Sequence, residues 1–235
     1  KTYTSGEAIT NFAGYNWHII GETSENVTLL MDAGQIKNMA HCGSNSDSSN
    51  NCIFNGKYIV YSWDKSLINK YLKETLYPEL KNKISNEIVP VEVCIDPSNG
   101  DGKATYGGYL KTEINKISGA NCNSEYEIDY VRLITKSEYW NLSPYYNGVS
   151  ASYPNVSGIK KLSKSNDYAK WLYCSSSKCG DSSGHWWTMT SYFLSSGGSA
   201  DYTNFVIFVQ DNGDCIHSNS ANGTLGVRPV ITIKK

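Results

Sequence analysis

Long apolar runs are missing from this chain, and charged residues are scarce. No stretch approaches the roughly 20 consecutive apolar residues that cross a bilayer as a helix, so no membrane span is expected. The formal net charge is −1 at pH 7, which argues against a nucleic-acid-binding surface. Only 18% of the residues are charged, whereas the chain has 18 tyrosines and 20 glycines. This balance favours a loop-rich, β-containing globular fold.

Sequence patterns typical of metal sites are also lacking. No C-x-x-C pair occurs, and neither His41 nor His217 has the second closely spaced pair that a zinc site requires. Residues 96–102 (DPSNGDG) and 211–214 (DNGD) offer oxygen ligands, but their spacing differs from that of a calcium loop. Turn chemistry accounts for both strings. We therefore expect no metal and no cofactor.

Seven cysteines distinguish the chain from most cytosolic proteins. Six of them form three pairs that would each close a polar loop: Cys42–Cys52, Cys94–Cys122 and Cys174–Cys179. Cys215 is left over and is expected to be a buried thiol. Such disulfides predict an extracellular protein at a cell surface, and seven reduced thiols in a cytosolic protein are the alternative. Because no Met precedes Lys1, we expect a mature or trimmed fragment whose anchor lies upstream.

The first half of the chain predicts a β-hairpin followed by a helix. Residues 16–22 (NWHIIGE) and 26–32 (NVTLLMD) are two β-rich runs joined by a short turn. Asp64 is then expected to cap a helix in which apolar residues recur every fourth position. Pro78 should break this helix or begin a new turn. Residues 88–96 (IVPVEVCID) predict an edge strand, because Pro90 cannot donate to a ladder.

The second half predicts strands around one short helix. Residues 130–135 (YVRLIT) read as a strand and 136–142 (KSEYWNL) as a helix. Residues 185–193 (HWWTMTSYF) predict a strand in which one of Trp186 and Trp187 faces the core and the other faces outward. Two further strands would flank an Asp211-Asn212-Gly213 turn, and 226–233 (GVRPVITI) closes the chain. Without repeats or a linker, residues 1–235 are expected to form one α+β domain.

Three segments carry a resemblance to known families. Residues 132–140 (RLITKSEYW) resemble the R-L-P-T-x-x-E-W stretch of the formylglycine-generating-enzyme-like branch, with Ile134 in place of Pro. The segments WWTMTS, FVQDNGDC and GVRPVI are similar to the ending of a bacterial domain family of unknown function, and YNWHIIGETSENVTLLM is similar to its opening hairpin. The resemblance implies a C-type-lectin-like fold whose N- and C-terminal strands pair. The oxidase activity of the first branch is not expected, since Cys174 and Cys179 precede the Trp-Trp pair instead of following it.

Two arginines interrupt apolar runs, and the implied fold would bury both. Arg132 and Arg228 each need carbonyl or carboxylate partners there, because a bare buried guanidinium is very costly. Glu138 is the expected partner for one of them. Substrate binding by these arginines is the alternative, but their positions inside strands favour a structural role.

A serine hydrolase is a competing hypothesis. MAHC at 39–42 and CGDSSG at 179–184 look like the histidine box and nucleophile loop of the chymotrypsin family, which would make His41, Asp129 and Ser182 a triad. Ser183 departs from that nucleophile loop, and the family's activating N-terminal motif is absent. Short Gly/Ser/Cys strings are also common in loop-rich chains, which favours a non-catalytic protein.

The preferred hypothesis is a recognition or adhesion domain of a bacterial surface protein. Its ligand would be a glycan or a protein, and it could be displayed on a pilus-type filament with other subunits as partners. Contact residues are expected on aromatic and Asn-rich loops and on the outward Trp: Trp187, Tyr192, Tyr202, Asn204 and Asn219. A structural subunit that polymerises is a third possibility, which an exposed apolar patch or an unpaired edge strand would favour.

Overall fold

The computed structural model describes eleven segments of the chain and has an α+β architecture. These segments are residues 7–43, 52–54, 58–59, 61–96, 106–122, 125–142, 171–172, 184–191, 205–210, 215 and 218–235.

The largest sheet contains five antiparallel strands and joins the two ends of the chain. Its spatial order is β1-β2-β3-β12-β8, with bounds Ala8–Phe12 for β1, Tyr15–Glu22 for β2, Asn26–Met31 for β3, Val131–Arg132 for β8 and Val230–Lys234 for β12. The predicted hairpin is therefore confirmed as β2–β3. The last strand pairs with β3 from Val230↔Leu30 to Lys234↔Asn26, and its other edge pairs with β8. Strand β1 was not predicted.

Three smaller antiparallel sheets complete the strand set of the described segments. One has the order β11-β10-β9, and the other two are the pairs β4–β5 and β6–β7. Their bounds are Ile53–Phe54 for β4, Tyr58–Ile59 for β5, Val91–Cys94 for β6, Tyr126–Asp129 for β7, Trp186–Ser191 for β9, Phe205–Val209 for β10 and Ser218–Ser220 for β11. Strand β6 begins directly after Pro90, as an edge strand should. Strands β10 and β11 pair antiparallel, and the expected Asp211-Asn212-Gly213 turn lies outside the described segments.

The helix of the first half is a composite of three consecutive segments. It consists of α1 (Leu67–Tyr71), a π-helical segment (Leu72–Leu76) and α2 (Tyr77–Lys83). The prediction that Asp64 caps it is wrong, because Ser66 is the cap and its hydroxyl accepts from the Asn69 N–H at 3.0 Å. Pro78 lies in the first turn of α2, which agrees with the expectation that it would begin a new turn. Since Pro78 has no N–H to donate to the preceding turn, the wider hydrogen-bonding pattern immediately before it has a physical reason.

Two short helices follow, α3 (Lys111–Ile114) and α4 (Lys136–Leu142). Helix α4 was predicted with these bounds. In the described segments, no helix is long and apolar enough to cross a membrane.

The core lies on both sides of β9, which explains why one prediction about its tryptophans is wrong. Trp186 and Trp187 are both 0% exposed. The Trp187 side chain packs with Trp17, Met189 and other residues on one side, and Trp186 packs with Tyr139 on the other. Neither ring faces outward, because β9 is covered on both faces.

Two of the three predicted disulfides are confirmed. Cys42–Cys52 and Cys94–Cys122 are bonded, with Cα atoms 5.5 and 5.8 Å apart. Cys174 and Cys179 lie outside the described segments. Cys215 is buried, as expected.

Candidate functional site

The two interrupting arginines are buried and bonded. Arg132 donates from Nη1 to Glu138 Oε2 at 2.7 Å and from Nη2 to Oε1 at 2.6 Å, a two-pronged ion pair. Glu138 is therefore the partner of Arg132, as the sequence analysis expected. Burial alone would lower the pKa of the guanidinium, but the charge and hydrogen bonds of Glu138, together with the charges of Glu113 and Asp129, outweigh burial and raise the pKa.

The same carboxylate caps helix α4. Glu138 Oε2 accepts from the Thr135 backbone N–H at 2.9 Å, and the Thr135 hydroxyl accepts from the Glu138 N–H at 3.0 Å. This reciprocal pair is a capping box, for which Thr-x-x-Glu is the sequence signature. Glu138 thus ties β8 to the start of α4.

A second buried carboxyl group reaches this network from a distant part of the sequence. Glu113 Oε1 accepts from the Thr135 hydroxyl at 2.6 Å, and its Oε2 accepts from the Leu110 N–H at 2.8 Å. Burial, followed by the nearby Glu138 charge, raises the pKa of Glu113 well above its usual range. The network is therefore a structural link between α3, β8 and α4.

Arg228 is 0% exposed and lies two residues before β12, so the prediction that it sits inside a strand is wrong. It donates from Nε to the Met31 carbonyl at 3.0 Å and from Nη1 to the Leu172 carbonyl at 3.2 Å. Its guanidinium carbon lies 4.7 Å from the Trp186 ring centroid, and burial lowers its pKa to about 10. The predicted burial and carbonyl partners of Arg228 are confirmed.

The histidine and aspartate of the proposed triad have separate partners. His41 is fully buried among the rings of Tyr61 and Trp187, and its Nε2 lies 3.1 Å from the Thr188 carbonyl. Its Nδ1, which a triad aspartate would bind, has no hydrogen-bond partner among the described residues. Burial lowers the pKa of the ring to about 3, so it is neutral in the folded protein.

Asp129 instead accepts from the Trp63 indole N–H at 2.5 Å and pairs with Lys73, whose Nζ lies 3.3 Å from Oδ1. Ser182 lies outside the described segments. The geometry around His41 and Asp129 therefore gives the hydrolase hypothesis no support.

The five predicted contact residues differ in burial, and three of them lie outside the described segments. Trp187 is corrected: its ring is buried and its indole N–H donates to the Met39 carbonyl at 2.9 Å, so it offers no outward face. Asn219 is half-buried, and its side-chain oxygen accepts from the Ser220 N–H. The remaining three lie outside the described segments: Tyr192, Tyr202 and Asn204.

Strand β7 presents an exposed apolar surface that the sequence analysis missed. Ile128 is 58% exposed and Tyr130 is 36% exposed, the two large hydrophobic side chains that stand out on the described surface. Tyr130 stacks on the half-buried Tyr77 of α2, with ring centroids 4.5 Å apart. We call Tyr77, Ile128 and Tyr130 the tyrosine face.

Charged side chains of both signs border the tyrosine face. Lys81 lies 5.8 Å from the Tyr77 ring centroid, and Glu92, which is opposite Ile128 on β6, binds Lys111 at 2.7 Å. An apolar centre with a charged rim is the usual anatomy of a protein-binding surface.

The sequence pattern at this strand predicts the opposite orientation, with the apolar side chains facing the core. Residues 126–130 (YEIDY) alternate acidic and apolar side chains, which predicts a strand with its apolar side inward. The structure turns the acidic side inward, because Lys73, Asn69 and the Trp63 N–H receive Glu127 and Asp129 there.

One group in the described segments has the composition of a metal site: Cys94, Asp96 and Cys122. The two sulfur atoms are joined in a disulfide, so they cannot act as thiolate ligands in this state.

Comparison with known proteins places the chain in a family without assigning an activity. Residues 25–235 match the family model described as a domain of unknown function, DUF6273, so the chain belongs to that family. No curated protein and no solved structure matches.

Proposed function

We propose that this member of the DUF6273 family is a non-catalytic recognition domain with a C-type-lectin-like fold. It would be part of a bacterial surface protein and act outside the cell. The observation that carries the proposal is the tyrosine face, an apolar surface that is exposed to solvent. Two disulfides support an oxidising compartment. The pairing of β12 with the N-terminal hairpin supports the fold assignment.

The ligand that best fits the tyrosine face is a protein surface. Tyrosine is enriched at the centres of protein interfaces, and Ile128 adds apolar area that a hydroxyl-rich glycan would not cover well. The rim charges of Lys81 and Glu92 would then set orientation rather than affinity. A glycan ligand is the outcome that would overturn this choice.

The test is binding of the labelled chain to two arrays, one of extracellular proteins and one of glycans. We expect a signal on the protein array that is lost in the double variant Ile128→Ser/Tyr130→Ser. Because both side chains are exposed, this variant should unfold at the parent's temperature. The exposed pair Lys116→Ser/Asn222→Ser serves as the matched surface control. Binding that survives in the double variant, or binding confined to glycans, would contradict the proposal.

A structural filament subunit is a second candidate, and the same exposed Ile128 favours it. In that case the tyrosine face would contact another copy of the chain. Sedimentation velocity over a concentration series separates the two functions. Self-association abolished by Ile128→Ser/Tyr130→Ser would support the filament subunit, whereas a monomer at all concentrations would leave recognition as the function.

A further inference from the structure

A lysine and two carboxyl groups meet on the inner side of β7, directly behind the tyrosine face. Lys73 Nζ lies 3.3 Å from Asp129 Oδ1 and also contacts Glu127 Oε1. The Asp129 side chain is 0% exposed, while that of Lys73 is 34% exposed. The lysine lies in the π-helical segment, and both acids lie on the strand opposite.

Neighbouring donors fix both acids in place. The Trp63 indole N–H donates to Asp129 Oδ2 at 2.5 Å, leaving Oδ1 toward the lysine. The Asn69 amide donates to Glu127 Oε2 at 3.3 Å, leaving Oε1 toward the same lysine. Asn69 is buried and its backbone N–H donates to the Ser66 cap, which holds the residue in position beside Glu127.

Burial makes the charged form of the Asp129 carboxyl group expensive. Removal of Asp129 from water raises the pKa of its carboxyl group, even against the opposing hydrogen bond from Trp63 and the charge of Lys73. Proton transfer from the ammonium to the carboxylate gives a neutral amine beside a neutral acid. A neutral amide in their place would carry no ionic desolvation penalty at all.

We propose that Lys73 and Asp129 condense into an intramolecular isopeptide bond, with Glu127 as the proton carrier. The neutral Nζ attacks Cγ of the protonated Asp129, and Glu127 accepts one proton from Nζ. Glu127 then delivers that proton to the departing Oδ1 hydroxyl, and one water leaves. The C–N bond replaces the C–O bond, no electrons are gained or lost, and no external reagent is required.

Trp63 has a defined part in this step. Oδ2 carries the negative charge that develops as Nζ adds to Cγ, and the indole N–H is already hydrogen-bonded to that atom. The product would keep this bond, with Oδ2 as the amide oxygen. The partial exposure of Lys73 leaves an exit for the released water.

The cross-link would hold the two halves of the tyrosine face together. Tyr77 follows Lys73 by one turn on the helical segment, and Tyr130 directly follows Asp129. A covalent bond between Lys73 and Asp129 would therefore fix the stacked rings against each other under mechanical load or heat.

The test is the intact mass of the purified chain after reduction and denaturation. We expect a mass one water molecule below that calculated from the sequence. Trypsin should fail to cleave after Lys73, and tandem mass spectrometry should find residues 71–81 joined to residues 117–132. The full calculated mass, or a water loss mapped to another position, would overturn the proposal.

Three variants assign the roles. Lys73→Arg and Asp129→Ala should each show their full calculated mass, and Glu127→Gln should do so while retaining the parent's circular dichroism spectrum. Lys83→Arg is the matched control, because Lys83 pairs with Glu79 at 2.6 Å on the same composite helix but at an exposed site. It should lose one water like the parent. Full water loss in Glu127→Gln would remove Glu127 from the mechanism.

Discussion

Removal of the Arg132 guanidinium should be among the most damaging single changes to the described core. Arg132→Met leaves the buried Glu138 carboxylate without its two-pronged partner, at 2.6 and 2.7 Å, and beside the buried Glu113. Breaking a buried pair in this way costs about 3–5 kcal/mol, because one charge stays buried without compensation. For a chain of this size, a loss of that order lowers the melting temperature by roughly 6–20 °C.

A double-mutant cycle isolates the pair itself. Arg132→Met, Glu138→Gln and the double variant would be unfolded in urea and followed by tryptophan fluorescence at pH 7. We expect a coupling free energy of about 2–3 kcal/mol, with the double variant more stable than the sum of the single changes predicts. The exposed pair Lys83–Glu79 provides a reference cycle, for which surface ion pairs give at most about 1 kcal/mol. A coupling for Arg132–Glu138 as small as that reference would refute the structural role assigned to the pair.

Two other buried groups give further predictions. Arg228→Met should lower the free energy of unfolding by about 2–4 kcal/mol, because the Met31 and Leu172 carbonyls lose charge-assisted partners while a buried charge is also removed; a variant as stable as the parent in urea would contradict this. The pKa of Glu113 is raised from 4.5 to about 8, so its stabilising contribution is complete below about pH 4.5 and is lost as the pH rises through about 8. The parent's stability relative to Glu113→Gln should accordingly fall across this interval in pH-dependent urea unfolding, and parallel pH profiles for the two proteins would exclude the effect.

Local sequence patterns predicted those parts of the fold that are determined mainly by interactions between residues close in the sequence. The β2–β3 hairpin follows from two β-rich runs three residues apart, and α4 was predicted at 136–142, where the structure adds a cap made by Thr135 and Glu138. The burial of Arg228 followed from the apolar residues around it. In each case the deciding interactions lie within a few residues, or the composition leaves no polar alternative.

Sequence patterns did not predict the structure where it depends on contacts between residues that are distant in the sequence. Glu113 reaches Thr135 across 22 positions, and nothing near Glu113 in the sequence marks it as buried. The inner placement of Glu127 and Asp129 depends on Lys73, Asn69 and Trp63, which lie more than 50 positions away. Both tryptophans of β9 are buried because a second part of the core covers the strand, which strand periodicity cannot reveal.

The inverted alternation of β7 connects the two proposals made for this protein. A strand with its apolar side chains in water is unfavourable unless its polar side chains gain more by facing inward. Lys73, Trp63 and Asn69 supply that gain, because they satisfy Asp129 and Glu127 with an ion pair and hydrogen bonds. The same interactions hold Ile128 and Tyr130 outward, where they can contact a partner. Exposure of the tyrosine face is therefore a consequence of the lysine–carboxylate cluster behind it. A variant such as Lys73→Met, which removes both the lysine charge and the proposed cross-link, should loosen the tyrosine face and the cluster together.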